Sequence, residues 1–138
     1  TDIVMMLNGA LAGLVAITAE PLTPGPITAM FIGSIGAIIM YFGTKMLESY
    51  GLDDVVGAIP VHMFAGIFGT LVVPLTNSDT SFGTQFIGTA SVCIFSFGLS
   101  WITFTLLKST IGLRISKAAE KLGTDKAEVG VTAYSIRD

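Results

Sequence analysis

Val55-Val-Gly-Ala-Ile-Pro-Val-His62-Met-Phe-Ala-Gly-Ile-Phe-Gly-Thr-Leu-Val-Val-Pro-Leu-Thr-Asn-Ser78 runs for 24 residues without an Asp, Glu, Lys or Arg. A helix rises 1.5 Å per residue, so about 20 apolar residues cross a hydrocarbon core about 30 Å thick. The run is continuous rather than alternating, which favours a helix over a barrel strand. Lipid offers no water to unpaired backbone groups, and a helix satisfies its own. Three further uncharged runs flank it: Ile3–Ala19 with 17 residues, Pro21–Thr44 with 24, and Thr80–Leu107 with 28. The reading is all-α, a polytopic membrane helical bundle with spans at about 3–19, 27–47, 55–75 and 83–108, the first of them marginal in length. Residues 1–108 form the transmembrane region and 109–138 a polar tail.

Composition agrees with that reading. Mean hydropathy is +0.77. Only 12% of residues are charged, half of what an ordinary soluble domain carries. The formal charge of −3 rests on residues confined to loops and tail, so a lipid bilayer is the expected partner and nucleic acid is not. The chain opens on Thr1-Asp2 and enters a hydrophobic run at once, without an initiator Met or a basic leader, and so reads as a fragment that starts within a longer protein.

Charge also predicts orientation. Lys45 lies between the second and third runs, and Lys108, Arg114, Lys117, Lys121, Lys126 and Arg137 follow the fourth. The segments Glu20–Ile27 and Thr76–Phe82 hold no Lys or Arg. Under the positive-inside rule the second connection and the tail are cytoplasmic, the other two connections are external, and the localisation is a multi-pass cell-membrane protein with a cytoplasmic carboxy terminus.

Small residues repeat at helical spacing. Gly9 and Gly13 form one small-xxx-small pair; Ala29, Gly33 and Ala37 form a second row. With Gly66 and Gly69 in the third run, these glycines are read as helix-packing positions. Pro60 is expected to kink the third span, and Ser116 to cap a short helix through Leu122 closed by Gly123, with Asp125 and Glu128 at the spacing of a second cap. Cys93 reads as a small buried hydrophobe. The chain has no metal-ligand cluster, phosphate loop or nucleophile arrangement, so neither a cofactor nor an enzymatic activity is expected.

His62 is the exception within the apolar runs. A charge in hydrocarbon costs roughly 2.5 kcal/mol or more, so an intramembrane ionisable residue is a functional candidate from the start. A core histidine satisfied by Ser, Thr or a carbonyl is the alternative. A neutral imidazole offers one donor and one acceptor, which suits a small polar permeant such as ammonia without fixing it strongly. Ile59 and Phe64 flank His62 in sequence, and Ala58, one turn earlier, shares its helical face. This greasy wall admits ammonia more readily than hydrated ammonium. His62 and Ala58 are the candidate conduction residues.

Three separated segments carry a family resemblance: Asn8-Gly-Ala-Leu-Ala-Gly-Leu-Val-Ala-Ile-Thr18; Asp53-Asp54 with Pro60-Val-His62 and Gly66-Ile-Phe-Gly-Thr70; and Thr110-Ile-Gly-Leu-Arg114 with Ala133-Tyr134. Together they closely resemble the carboxy-terminal part of the ammonium transporter (Amt/Mep/Rh) family. The resemblance implies an eleven-helix protomer of two inverted repeats plus a last helix, assembled as a homotrimer with one pore per protomer and serving nitrogen uptake. It places His62 as one of two pore histidines, with its partner, an external recruitment site and a phenylalanine gate on helices outside this chain. Gly57 stands where members often carry Asp, Met63 where Gly is common, and Val129 and Val131 flank Gly130 where a His-Gly-Glu triplet is frequent. A P-II-type regulatory protein at the cytoplasmic face is a further implied partner. The competing function is an ammonium-sensing membrane module that signals through its tail.

Overall fold

The computed structural model describes residues 2–132. Ala133 and Tyr134 of the third matching segment, and Arg137 of the basic tail, lie outside them. The described residues are helical, with no strand among them. Helix α1 covers Ile3–Ile17 and α2 covers Pro26–Ser49. A third helical run, Ile59–Leu75, opens with a π turn at Ile59–Phe64, continues as α3 over Ala65–Val72 and ends in a 3-10 turn at Val73–Leu75. Helix α4 covers Phe82–Thr110 and α5 covers Lys117–Leu122, followed by a π turn at Asp125–Val129. Among the described residues, α2 and α4 are long and apolar enough to cross a membrane; α1 and the third run are apolar but shorter.

Local chemistry sets the ends. Asp2 caps α1, its carboxylate accepting from the Met5 N–H at 3.0 Å, and Thr18 turns its hydroxyl back to the Val15 carbonyl at 2.7 Å where the helix stops. Pro26 opens α2, where a missing N–H costs nothing. That helix runs on to Ser49, past the uncharged run, and Lys45 and Glu48 pair along its exposed surface at 3.1 Å. Pro60 sits in the first turn of the third run, so it begins a helix and does not kink one.

The chain divides into two compact units, Thr1–Ile94 and Phe95–Asp138. In the first, α1, α2 and the third run pack on one another. Its core is small: Ala12 of α1, Met40 of α2, and Val61 and Ala65 of the third run, with Met5 and Val15 against them. The close approach comes from residues without side chains. A Cβ on Gly13 would lie 3.1 Å from the Gly33 carbonyl oxygen, and one on Gly36 would lie 2.6 Å from the Ala16 Cβ and 2.9 Å from the Ala12 carbonyl oxygen. A Cβ on Gly69 would overlap the backbone of Ala16. Such contacts let lipid-immersed helices gain dispersion and weak backbone interactions in place of a hydrophobic driving force. The row expected on α2 is shifted: the buried set is Ile32, Gly36, Met40, Gly43 and Leu47, with Gly33 at its edge.

At one end of this unit the α1–α2 connection is tied to the end of the third run, since the Asn77 Nδ2 donates to Glu20 Oε2 at 2.9 Å. The other Glu20 oxygen accepts from the Leu22 N–H at 3.2 Å. The two connections without basic residues therefore meet. Asn77→Ala should cost about 1 kcal/mol, the usual net worth of one hydrogen bond. Limited proteolysis would register it as faster cutting between residues 18 and 25.

In the second unit, Ser116 caps α5 by accepting from the Ala119 N–H at 3.2 Å, and Gly123 closes it at φ 94°. Asp125 is the first residue of the following π turn, with Thr124 in the cap position. Arg114 pairs with Glu120. The hydrogen bond and then the charge of Glu120 hold the guanidinium pKa above its ordinary value; both side chains are exposed and the pair adds little stability.

Candidate functional site

The site begins at a turn. The third run starts four residues later than its uncharged stretch, because Val55–Gly57 is occupied by a capping loop. Asp54 reaches forward with both oxygens: Oδ1 accepts from the Ala58 N–H at 2.9 Å and Oδ2 from the Ile59 N–H at 2.7 Å. Two of the donors that every helix start leaves orphaned are thereby satisfied by one anion, which also suits the positive end of the helix dipole. The Asp54 carbonyl accepts from the Gly57 N–H at 3.0 Å, closing the turn. Gly57 is buried and has φ +71°, a left-handed conformation that a side chain disfavours.

Across from this turn stands Asn8 of α1. Its Nδ2 donates to the Val56 carbonyl at 3.0 Å, over a sequence separation of 48, and a Cβ on Gly57 would fall on that same nitrogen. A cavity of about 170 Å³ opens beside the pair, lined in part by Asp2, Met5, Asn8, Thr44, Glu48 and Asp54. His62 is not among its lining residues.

Downstream, the π turn sorts side chains. Pro60 and Val61 are buried against α1 and α2, and Ala65 continues that face. Ala58, Ile59, His62 and Met63 are exposed on the other side. His62 and Ala58 therefore share a face, as their spacing predicts, and that face is turned away from α1 and α2. Phe64 belongs elsewhere: its ring lies where a Cβ on Gly43 would be, on the α2 side. The expectation that Phe64 walls the histidine is corrected accordingly; Ile59 and Met63 are its outward apolar neighbours.

The expected packing glycines divide in the same way. Gly13 and Gly33 face one another and Gly69 meets Ala16, whereas a Cβ on Gly9 or Gly66 would make ordinary contact, 3.7 Å from Met40 Cε and 3.6 Å from Val15 Cγ1 respectively. Gly36, Asn8 and Asp54 were not singled out as site or packing residues from the sequence. Signals existed for two of them: an amide inside an uncharged run, and an acid four to five residues before a proline-opened helix.

What the structure defines is an all-helical unit in which the only histidine stands on an uncovered apolar face, near the start of a capped helix. Comparison with known proteins gives the family. The Ammonium Transporter Family model matches residues 1–134, and the chain belongs to that membrane-integral family. It is 38% identical to "Ammonium transporter Amt2" of Archaeoglobus fulgidus over 96% of its length, 34% identical to "Ammonium transporter Amt2" of Methanocaldococcus jannaschii over 96%, and 32% identical to "Ammonium transporter" of Corynebacterium glutamicum over 94%. The matches cover 33%, 34% and 32% of those relatives, so the chain spans about a third of their length. They fix that share and give no support to the carboxy-terminal placement expected from the resemblance, which is not retained.

Proposed function

We propose that the protein to which this chain belongs moves ammonium or ammonia across a membrane, with His62 in the conduction path and Ala58 beside it. The observation that carries this reading is the position of His62 on the uncovered face of the third run in a chain of the ammonium transporter family. Helices outside this chain would close over that face and turn it into a passage. Four helices of this chain would cross the bilayer as part of an eleven-helix protomer, with the Lys45 end and the tail in the cytoplasm, three protomers would form the particle, and the tail would be the surface for a P-II-type protein. Relatives named as transporters favour permeation over the sensing alternative.

In such a passage the imidazole works by exchange of hydrogen bonds. One ring nitrogen accepts from an N–H of the permeant and the other donates to its lone pair. Ile59 and Met63 line the approach with apolar surface, 38% and 50% exposed in this unit, and offer nothing that replaces the hydration of an ion. A second histidine, supplied from outside this chain, would continue the relay.

Uptake of methylammonium by the full-length protein tests the reading. His62→Ala should lower the maximal rate about tenfold, the upper value of one hydrogen bond, and His62→Glu should change the preference between ammonium and other monovalent cations. Unchanged rate and selectivity in both variants would take His62 out of the mechanism.

A further inference from the structure

We propose that Asn8 is a positioning residue for His62: its side-chain amide, bonded to the Val56 carbonyl and seated on Gly57, fixes the turn from which the histidine helix starts. This inference rests on the transport reading for its consequence, but its geometry stands on separate observations.

Val56 lies in the loop between Asp54, the acid that caps the third run, and the helix itself. Its carbonyl takes the Asn8 Nδ2–H at 3.0 Å. A Cβ on the neighbouring Gly57 would collide with the same nitrogen. Gly57 then hands the restraint onward, because its carbonyl accepts from the Val61 N–H at 3.1 Å. Val61 is buried in the core and precedes His62 in the chain. The path from α1 to the residue before the imidazole is thus one side-chain bond, one tight glycine and one backbone bond.

That path controls rotation of the helix about its own axis. The π turn over Ile59–Phe64 holds Pro60 and Val61 inward while His62 and Met63 face outward. Such π turns are short, single-turn insertions in a helix. At its far end, the Ala65 N–H reaches the carbonyls of both Pro60 and His62. At its near end the anchors are Asp54, which belongs to the same segment, and Asn8, which belongs to another helix. The second, together with the buried Pro60 and Val61, ties the turn to the body of the unit and so sets which way His62 points relative to α1.

The test uses the full-length protein in lipid nanodiscs with Asn8→Ala, which deletes the amide, and Asn8→Asp, which keeps its shape but sets an oxygen against the Val56 carbonyl. Hydrogen exchange should be about fivefold faster at Gly57–Val61 in both variants, the factor one hydrogen bond is worth, with α2 unchanged. Methylammonium uptake should lose maximal rate with KM nearly constant, and combining Asn8→Ala with His62→Ala should add nothing to the loss from His62→Ala alone. Additive losses would overturn the positioning role even if exchange rises, and wild-type exchange at Gly57–Val61 in Asn8→Asp would overturn the clasp itself. If the unaltered protein takes up no methylammonium, the transport reading falls, and the exchange data alone decide whether Asn8 sets the turn.

Discussion

Gly69→Val is expected to prevent the first unit from assembling. A Cβ at this position overlaps the backbone of Ala16 in the last turn of α1, and backbone cannot swing aside as a side chain can. Both residues are buried, so the clash has no exit to the surface. Overpacking a close-packed contact costs about 1–3 kcal/mol, and sometimes more; a branched side chain against backbone belongs at the top of that range. Gly66→Ala is the control, since its new methyl group would meet Val15 at 3.6 Å, an ordinary contact. Thermal unfolding of the full-length protein in detergent should show Gly69→Val collapsed or strongly shifted and Gly66→Ala near wild type. Equal behaviour of the two would mean that α1 and the third run do not meet through Ala16.

Asp54→Ala should be nearly as severe. Its carboxylate accepts two backbone N–H groups, at 2.9 and 2.7 Å, and bonds to an ionised acceptor are worth about 1.5–3 kcal/mol each before any rearrangement. Water can replace part of this at a half-buried position, which brings the expected cost to about 2–3 kcal/mol. Asp54→Asn should fall between, because one amide oxygen still accepts while its NH₂ faces the other donor. Melting temperatures in the order wild type, Asn, Ala would bear this out; an Asn variant as stable as wild type would show that one of the two bonds contributes nothing.

Most of the helical architecture was legible because lipid and helix leave the same mark, an uncharged run of sufficient length. The helix expected over 27–47 is α2 at Pro26–Ser49, and that over 83–108 is α4 at Phe82–Thr110. The third stretch misled at its start. Hydropathy cannot distinguish a capping turn of Val-Val-Gly from the first turn of a helix, and the boundary is drawn instead by Asp54, Gly57 and Pro60. The family was legible too, through long matching segments that the comparisons uphold. Less legible were the contacts that depend on which face meets which. Gly36 carries the tightest α1–α2 contact, yet one turn of ambiguity in the small-residue pattern pointed to Ala29, Gly33 and Ala37. Phe64 and His62 are two residues apart, and only the packing of Gly43 reveals that they lie on different sides. Asn8 was visible as a polar residue in an apolar run, but nothing in its own neighbourhood names a partner 48 residues away.

Helix α4 has one more consequence. Its 29 residues give a rod about 43 Å long, against a hydrocarbon slab of about 30 Å. The surplus of about 13 Å is relieved by lean, by protrusion or by thickening of the surrounding lipid. None of its residues is buried. Longer acyl chains should bring the rod upright and shorter ones lay it over, which makes the thickness of the host membrane a variable to which this segment responds.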